Sequence, residues 1–312
     1  MKLPLARYRF TFRMADSLRL PDYAGSLLRG QFGAALRRVS CMTGEKTCDG
    51  CPLRATCPYP AIFETPAPDA HAMQRFSHVP NPYVIEPPPL GTRFIDAGSA
   101  LRFSVVLVGR AMAQLPLVSF AVQRAVEGGL GRERTRGTLE CIEWQAGDGA
   151  DDFVAIWQPG GAAIAPHDAH VTLPATTDAR TLRLVLHTPL RLQHQGHPVR
   201  LQALTPRKLV ADLLRRVTLL AEFHADRPGL VTDAGALVRH ADTLAHQPAL
   251  RWQDWSRYSS RQQQEMTLGG ALGEWVLEGD LGLLYPWLWL GQWLHVGKNA
   301  TFGMGHYTLH RC

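Results

Sequence analysis

Residues 285–311, YPWLWLGQWLHVGKNATFGMGHYTLHR, pass from an apolar stretch through a glycine-rich stretch to alternating residues. The apolar stretch predicts a helix, and the alternation after Gly305 predicts a strand. Gly297, Gly303 and Gly305 fill the connection, because glycine adopts backbone angles that are closed to other residues. The chain is therefore predicted to end in a helix, a glycine loop at 297–305 and a last strand.

Upstream of this ending, the same order of elements is predicted twice. Each half has the order strand, helix, strand, strand, helix, strand. The first half spans residues 1–160 and the second spans 181–312, with a linker at 161–180 that is rich in Ala, Pro, Thr and Asp. The expected fold class is α+β, with two tandem ferredoxin-like domains of βαββαβ order.

The composition favours a polyanionic partner and gives no sign of a membrane protein. The chain has 33 basic and 27 acidic residues, a formal charge of +6. Nearly all the basic residues are arginine, whose planar guanidinium suits phosphate binding and base stacking; a GC-rich genome gives the same bias. No stretch reaches the roughly 18 apolar residues of a membrane span, and the start lacks the apolar core of a signal peptide. We expect a cytoplasmic protein.

Four cysteines lie close together in the first half. Cys41, Cys48, Cys51 and Cys57 follow the spacing C-x6-C-x2-C-x5-C, which predicts a metal-binding insertion at about 41–60. Structural zinc is favoured, because four thiolates complete its tetrahedral coordination. An iron–sulfur cluster uses the same ligands and stays the alternative. Disulfides are not expected in a cytoplasmic protein.

Two segments suit an RNA ligand. In the glycine loop, backbone amides can face a phosphate while Lys298 adds a positive charge; the alternative is a tight turn that binds nothing. In RYSSRQ, Arg257 and Arg261 can hold phosphate and Tyr258 can stack on an unpaired base. The alternative for this segment is a salt-bridged edge strand.

The ending GQWLHVGKNATFGMGHY resembles the signature loop of the RAMP superfamily of CRISPR-associated proteins. RYSSRQQQEMTLGG, LLRGQFGAALRRVSC and PNPYVIEPPP resemble its precursor-crRNA endoribonucleases. This resemblance implies two RRM-like domains, binding of CRISPR repeat RNA, and cleavage without a catalytic metal. RNA binding is then expected at Arg29, Arg37, Arg38, Arg257, Tyr258, Arg261, Gly297, Lys298, Gly303 and Gly305.

Metal-free RNA cleavage needs a base for the 2′-hydroxyl, an acid for the leaving oxygen and a nearby cation. We assign His295 as base or acid and Lys298 as the cation, although a histidine at a helix end can also be structural. Many members of the resembled family carry a catalytic histidine near the first helix, whereas the first histidine here is His71. Near its first helix this chain has Tyr23, which we take as a catalytic candidate, and His78 is a further candidate.

Three explanations of this departure stay open. The base lies elsewhere in the chain, or arginine and tyrosine side chains orient the attack without a base, or the chain binds RNA without cutting it. In the last case it would be a crRNA-binding subunit of a CRISPR effector complex, with other Cas subunits as partners.

Overall fold

The computed structural model describes residues 1–68, 79–147, 149, 152–259 and 264–312, and it describes no side chains between 256 and 267. The fold is mixed α/β with antiparallel sheets, which confirms the predicted combination of helices and strands. The main strands are β1 Leu5–Met14, β2 Tyr83–Glu86, β3 Ala100–Val108, β4 Gly137–Gln145, β5 Phe153–Trp157, β6 Thr181–Leu190, β7 Ala245–Ser259, β8 Gln264–Glu278 and β9 Tyr307–Arg311. The α-helices are α1 Gly25–Ser40, α2 Pro58–Phe63, α3 Leu115–Glu127, α4 Pro206–His224, α5 Ala234–Ala241 and α6 Tyr285–Leu294.

The two main sheets repeat one strand order. The first sheet has the order β2-β3-β1-β4-β5, and the second has the order β7-β8-β6-β9. Within each half, the first and third strands are central and the second and fourth flank them. Neighbouring strands in both sheets are antiparallel. This order is consistent with the two βαββαβ units that the sequence predicts.

Two details differ from the sequence-based expectation. The segment at 161–180 is not featureless, because Val171–Thr172 pairs with Lys2–Leu3. The helical periodicity of residues 231–246 predicts a longer helix than α5, which ends at Ala241 because the backbone of the next residues turns and enters β7, where Ala245 pairs with Glu278. Pairing along a long strand outweighs the helical periodicity of the last residues.

The helices follow their sequence signals. In α1, Leu28, Phe32 and Leu36 face the core, so the arginines of this helix lie on its other side. Thr205 caps α4, with its side chain accepting from the Lys208 amide. The most apolar helix, α6, has ten residues. Among the described residues, no helix is long and apolar enough to cross a membrane.

One hydrophobic core joins the two halves of the chain. Leu5, Val84 and Val106 of the first sheet belong to the same buried cluster as Leu288 and Trp293 of α6. A second cluster lies between the first sheet and α1 and α3. The first sheet is therefore covered on both faces, by its own helices and by the second half of the chain, and this fixes the junction between the halves.

The start of α1 should tolerate no side chain at Gly25. A Cβ there would lie 2.0 Å from the Phe302 carbonyl oxygen of the glycine loop, so Gly25→Ala should lower the free energy of unfolding by about 1–3 kcal/mol. At Gly30, on the exposed side of the same helix, an added Cβ would have no atom within 4 Å, and Gly30→Ala should stabilise by about 0.5–1 kcal/mol. Chemical denaturation of both variants measures this; equal effects would contradict the tight contact.

Candidate functional site

The glycine loop packs against the first half of the chain. Gly303 has a φ of +91°, and a Cβ at this position would lie 2.6 Å from the Ile85 carbonyl oxygen and 3.0 Å from the Tyr23 hydroxyl. The Tyr23 hydroxyl donates to the Phe302 carbonyl at 2.7 Å. The glycine is required because the loop backbone approaches β2 and the start of α1 too closely for a side chain.

Two amides of the loop are bonded within the protein. The Lys298 N–H donates to the Arg191 carbonyl at 2.8 Å, and the Gly305 N–H donates to the Pro189 carbonyl at 3.0 Å. Gly297 lies against the same connection, since a Cβ there would be 2.5 Å from the Arg191 oxygen. These groups hold the loop to the end of β6 and do not point at a ligand.

A buried ionic cluster lies where the halves meet. The Arg7 guanidinium contacts the Glu86 carboxylate at 2.8 and 2.9 Å, and it donates to the Gln292 carbonyl at 2.9 Å. It also lies 4.5 Å from the centre of the Trp293 ring. His295, with 0% exposure, places Nε2 3.1 Å from Glu86 Oε1. One arginine on β1 thus connects β2 with the end of α6.

Burial and pairing determine the protonation states of the groups in this cluster. Burial alone would raise the pKa of Glu86, but Arg7 and His295 outweigh it and hold the pKa well below its ordinary value. Burial lowers the pKa of His295 and, together with the charge of His295, that of His306, whose ring stacks on it at 4.7 Å. Neutral His295 can therefore donate from Nε2 to the Glu86 carboxylate.

These side chains do not form a convincing metal site. Glu86, His295 and His306 place possible ligand atoms within 4.8 Å of one another. However, the Arg7 guanidinium already occupies the Glu86 carboxylate, so an added cation would meet an existing positive charge. We interpret the cluster as a structural ion pair with a stacked histidine pair.

A large cleft of about 2190 Å³ lies along the outer side of α1. Its other walls are the cysteine segment, the connection near 130–135, and Trp255 of β7. The cationic residues that line it are Arg19, Arg29, Arg37, Arg38, Lys46, Arg54, Arg93 and Arg132, and the acidic ones are Asp22, Glu45, Asp49, Glu64 and Glu133. Two of these acids are paired with cleft arginines, Asp22 with Arg93 and Asp49 with Arg54. The excess of cations suits an anionic ligand.

Two of the cleft arginines are held in place by aromatic rings and hydrogen bonds. Arg29 Nε donates to the Tyr83 hydroxyl at 3.1 Å, and its guanidinium lies 4.3 Å from the centre of the Phe63 ring. Arg37 donates to the Lys46 carbonyl at 2.8 Å. Orientation by such contacts lowers the entropy that a guanidinium loses when it binds phosphate.

Comparisons with known proteins agree with this architecture. Residues 3–169 match a family model described as an N-terminal domain, AF_1859_N, and residues 184–307 match the model of the CRISPR-associated endoribonuclease Cas6. The second half of the chain therefore carries a domain of the Cas6 endoribonuclease family, and the first half belongs to the AF_1859_N family. No curated protein matches the chain.

Solved structures share the fold of this chain. A Cas6 product complex matches with a TM-score of 0.59 and 15% identity, over 98% of this chain and 99% of that one. Thermus thermophilus Cas6 matches with a TM-score of 0.56 and 15% identity, over 99% of each chain. A partial Cas6-RT-Cas1–Cas2 complex matches with a TM-score of 0.57 and 16% identity, over 99% of this chain and 47% of that one.

The structure brings together only some of the residues that the sequence singles out. Arg29, Arg37 and Arg38 line the cleft, and Tyr23 lines it at the junction with the glycine loop. Lys298 is exposed on that loop but is not among the residues that line the cleft. The side chains of Arg257 and Tyr258, and Arg261 and His78 as a whole, lie outside the described residues.

Three sequence-based assignments meet a different environment from the one expected. His295 is enclosed between the halves, so the described conformation offers it no direct contact with RNA. Gly303 and Gly305 are also buried, because their positions let the loop backbone pack against Ile85 and Val296. Packing of the two halves encloses His295 and Gly303, whereas Gly305 packs against Val296 within the second half.

The sequence analysis missed several residues of the cleft and the junction. Glu86 is the acid that ends the apolar run YVIE, and an acid beside buried strand residues predicts a charged partner. Arg132 lies in GLGRERTRG, whose glycines and arginines resemble a phosphate-binding connection. No sequence signal places Trp255 beside Tyr23, whose rings lie 5.2 Å apart.

Stability should fall as the pH is lowered from 7.5 to 5.5. The fold holds the pKa of His224, His295 and His306 below the ordinary value of 6.5. The unfolded chain then binds more protons below pH 6.5, so each such histidine costs up to about 1.4 kcal/mol per pH unit. Glu86, whose pKa is lowered from 4.5, adds a further loss only in more acidic solution.

Urea unfolding at several pH values measures this slope. His295→Gln removes one of the groups and should give a shallower slope, while His194→Gln reports the effect of the same change at an exposed site. A free energy of unfolding that is constant between pH 5.5 and 7.5 would contradict the assigned burial of these rings.

Proposed function

We propose that this chain binds CRISPR repeat RNA in the cleft along α1 and cleaves precursor crRNA by metal-independent transesterification. The observation that carries the proposal is the row of arginines on the open side of α1, in a cleft of about 2190 Å³. The Cas6-family domain in the second half supports repeat RNA as the ligand and endoribonuclease as the activity.

The cleft offers both parts of an RNA-binding surface. Arg29, Arg37 and Arg38 lie along one face of α1 and provide cations for successive phosphates. Trp255 presents part of an indole ring beside Tyr23 at one end, where an unpaired base can stack. We place the RNA backbone along α1 and an unpaired nucleotide near the glycine loop.

In the proposed reaction, the 2′-hydroxyl attacks the adjacent phosphorus and the bond to the 5′-oxygen breaks. The products are a 2′,3′-cyclic phosphate and a 5′-hydroxyl: the 2′-hydroxyl loses one proton, the leaving 5′-oxygen gains one, and no water is consumed. Lys298, which is exposed on the glycine loop, is the cation that we assign to the developing charge. Tyr23 is a positioning residue, since burial raises its pKa and its hydroxyl holds the Phe302 carbonyl.

The general base is not assigned to His295 in this proposal. That ring has no exposed surface and is paired with Glu86. Among the described residues, no histidine lines the cleft. Orientation of the 2′-hydroxyl for in-line attack then supplies part of the rate enhancement.

The same observation favours a second candidate function. A cleft that holds RNA but lacks a base would suit a RAMP subunit that retains crRNA within a CRISPR effector complex. A similar structure is described as part of a Cas6-RT-Cas1–Cas2 complex, which is in keeping with other Cas proteins as partners.

Cleavage should proceed in EDTA and depend on one hydroxyl group. The repeat RNA of the same locus is incubated briefly with enough chain to saturate it, beside an RNA with a single 2′-deoxy nucleotide at the mapped cut. We expect cleavage of the first RNA only, because the 2′-oxygen is the nucleophile. Lys298→Ala should slow the reaction by about 100-fold without abolishing binding.

Two results would reject parts of this proposal. Tight binding of the intact repeat with no cleavage would remove the nuclease function and leave the crRNA-holding subunit. Cleavage of the 2′-deoxy RNA at the same position would exclude transesterification and indicate attack by water.

Arg38→Ala should weaken RNA binding through the loss of one phosphate contact. Affinity should fall severalfold, and the slope of log affinity against log salt should become shallower by about one unit. Arg215→Ala is the matched control, because Arg215 is exposed on α4 and does not line the cleft. An equal loss in both variants would show that binding follows net charge and not the cleft.

A further inference from the structure

The cysteine segment, residues 41–57, connects two helices that build the cleft. Cys41 follows the last residue of α1, and Cys57 precedes the first residue of α2. Between them, the Cys51 amide donates to the Cys48 carbonyl at 3.3 Å, and Gly50 has a φ of +77°. This bond closes a turn that has Cys48 and Cys51 at its two ends, so the backbone holds the two residues close together, as a chelating pair requires.

All four thiols face one small cavity. Cys41, Cys48, Cys51 and Cys57 are free and partly buried, and they line a cavity of about 170 Å³. Four thiolates are a complete tetrahedral ligand set for zinc. In the described structure, no three of these sulfur atoms lie within 4.8 Å of one another, so binding of one ion requires the segment to contract around it.

The same segment forms a wall of the RNA cleft. Lys46 and Arg54 belong to it and line the cleft, and Arg37 of α1 donates to the Lys46 carbonyl at 2.8 Å. Arg37, Cys41 and Cys48 line both the small cavity and the cleft. A movement of the thiols would therefore displace residues that also line the cleft.

We propose that Cys41, Cys48, Cys51 and Cys57 bind one zinc ion, and that this ion fixes the wall that carries Lys46 and Arg54 for RNA binding. The coupling rests on the RNA binding proposed above, whereas the metal site does not. Two apolar side chains of the segment add little to its packing, since Met42 is 88% exposed and Leu53 is 39% exposed. A chain that is ordered before binding loses less entropy when it contacts the RNA, so the loaded form binds more tightly.

The experiment uses the full chain and measures metal and RNA separately. Metal content is determined by elemental analysis, and cobalt(II) replaces zinc to report thiolate coordination by its absorption. Affinity for the repeat RNA is measured by fluorescence anisotropy for the zinc-loaded chain, the chain stripped by prolonged treatment with TPEN, and the reloaded chain. Cys48→Ser is compared with Cys141→Ser, which changes a partly buried cysteine of β4 outside the cavity.

We expect one zinc per chain, a four-thiolate cobalt spectrum, and an RNA affinity that falls roughly tenfold on stripping and returns on reloading. Cys48→Ser should lose the ion and the affinity, and Cys141→Ser should keep both. If Cys48→Ser does not fold, the stripped and reloaded wild-type chains give the same comparison, with circular dichroism as the check that the stripped chain stays folded.

Each opposite result overturns a defined part of the inference. Failure to bind metal stoichiometrically, or an iron chromophore in chain purified without oxygen, overturns the zinc site. Stoichiometric zinc with unchanged RNA affinity after stripping overturns the coupling. If the loaded chain binds no RNA, the proposed function fails and the coupling fails with it, while the metal measurements stand by themselves.

Discussion

The docking of the two halves involves a largely buried ion pair at their junction. Arg7 on the first strand neutralises Glu86 on the second, and the pair is completed by the end of α6 through Gln292 and His295. Removing one partner would leave an uncompensated buried charge, which costs about 3–5 kcal/mol in proteins. The pair therefore fixes how the second half of the chain lies on the first sheet, and the shared hydrophobic core packs around it.

This junction explains why the glycine loop is needed. With the halves held together by the ion pair, the loop must pass between β2 and the start of α1 with no room for a side chain at Gly303. The loop then presents the Phe302 carbonyl to Tyr23, which places the open side of α1 beside the second half. The glycines act in this structure as a packing element that sets the end of the cleft.

Much of the fold could be predicted from the sequence, because strands and helices leave periodic patterns. The alternation in Leu5–Met14 and the stripe of Leu28, Phe32 and Leu36 both correspond to observed elements. The candidate site was only partly predictable. The arginines of α1 could be singled out since they oppose its apolar stripe, and the cysteines by their spacing.

The rest depends on contacts between residues that are distant in the sequence. Whether His295 is buried follows from Glu86, which lies 209 residues away. The partners of Trp255 and Tyr23 are likewise set by how the halves dock. Such a contact cannot be inferred from neighbouring residues in the sequence. A histidine beside a glycine loop is therefore as consistent with a catalytic role as with a structural one.

The two halves carry their additional segments at the same topological point. In the first half, the cysteine segment and α2 are inserted between the first helix and the second strand; in the second half, α5 occupies the equivalent connection. Because neither insertion contributes a strand to the four-stranded order, this connection can change in length and composition while the sheets persist. Homologous proteins can therefore differ in the ligands they prefer through changes in this one connection. Such changes leave the strands that form the sheets, and hence the fold, in place.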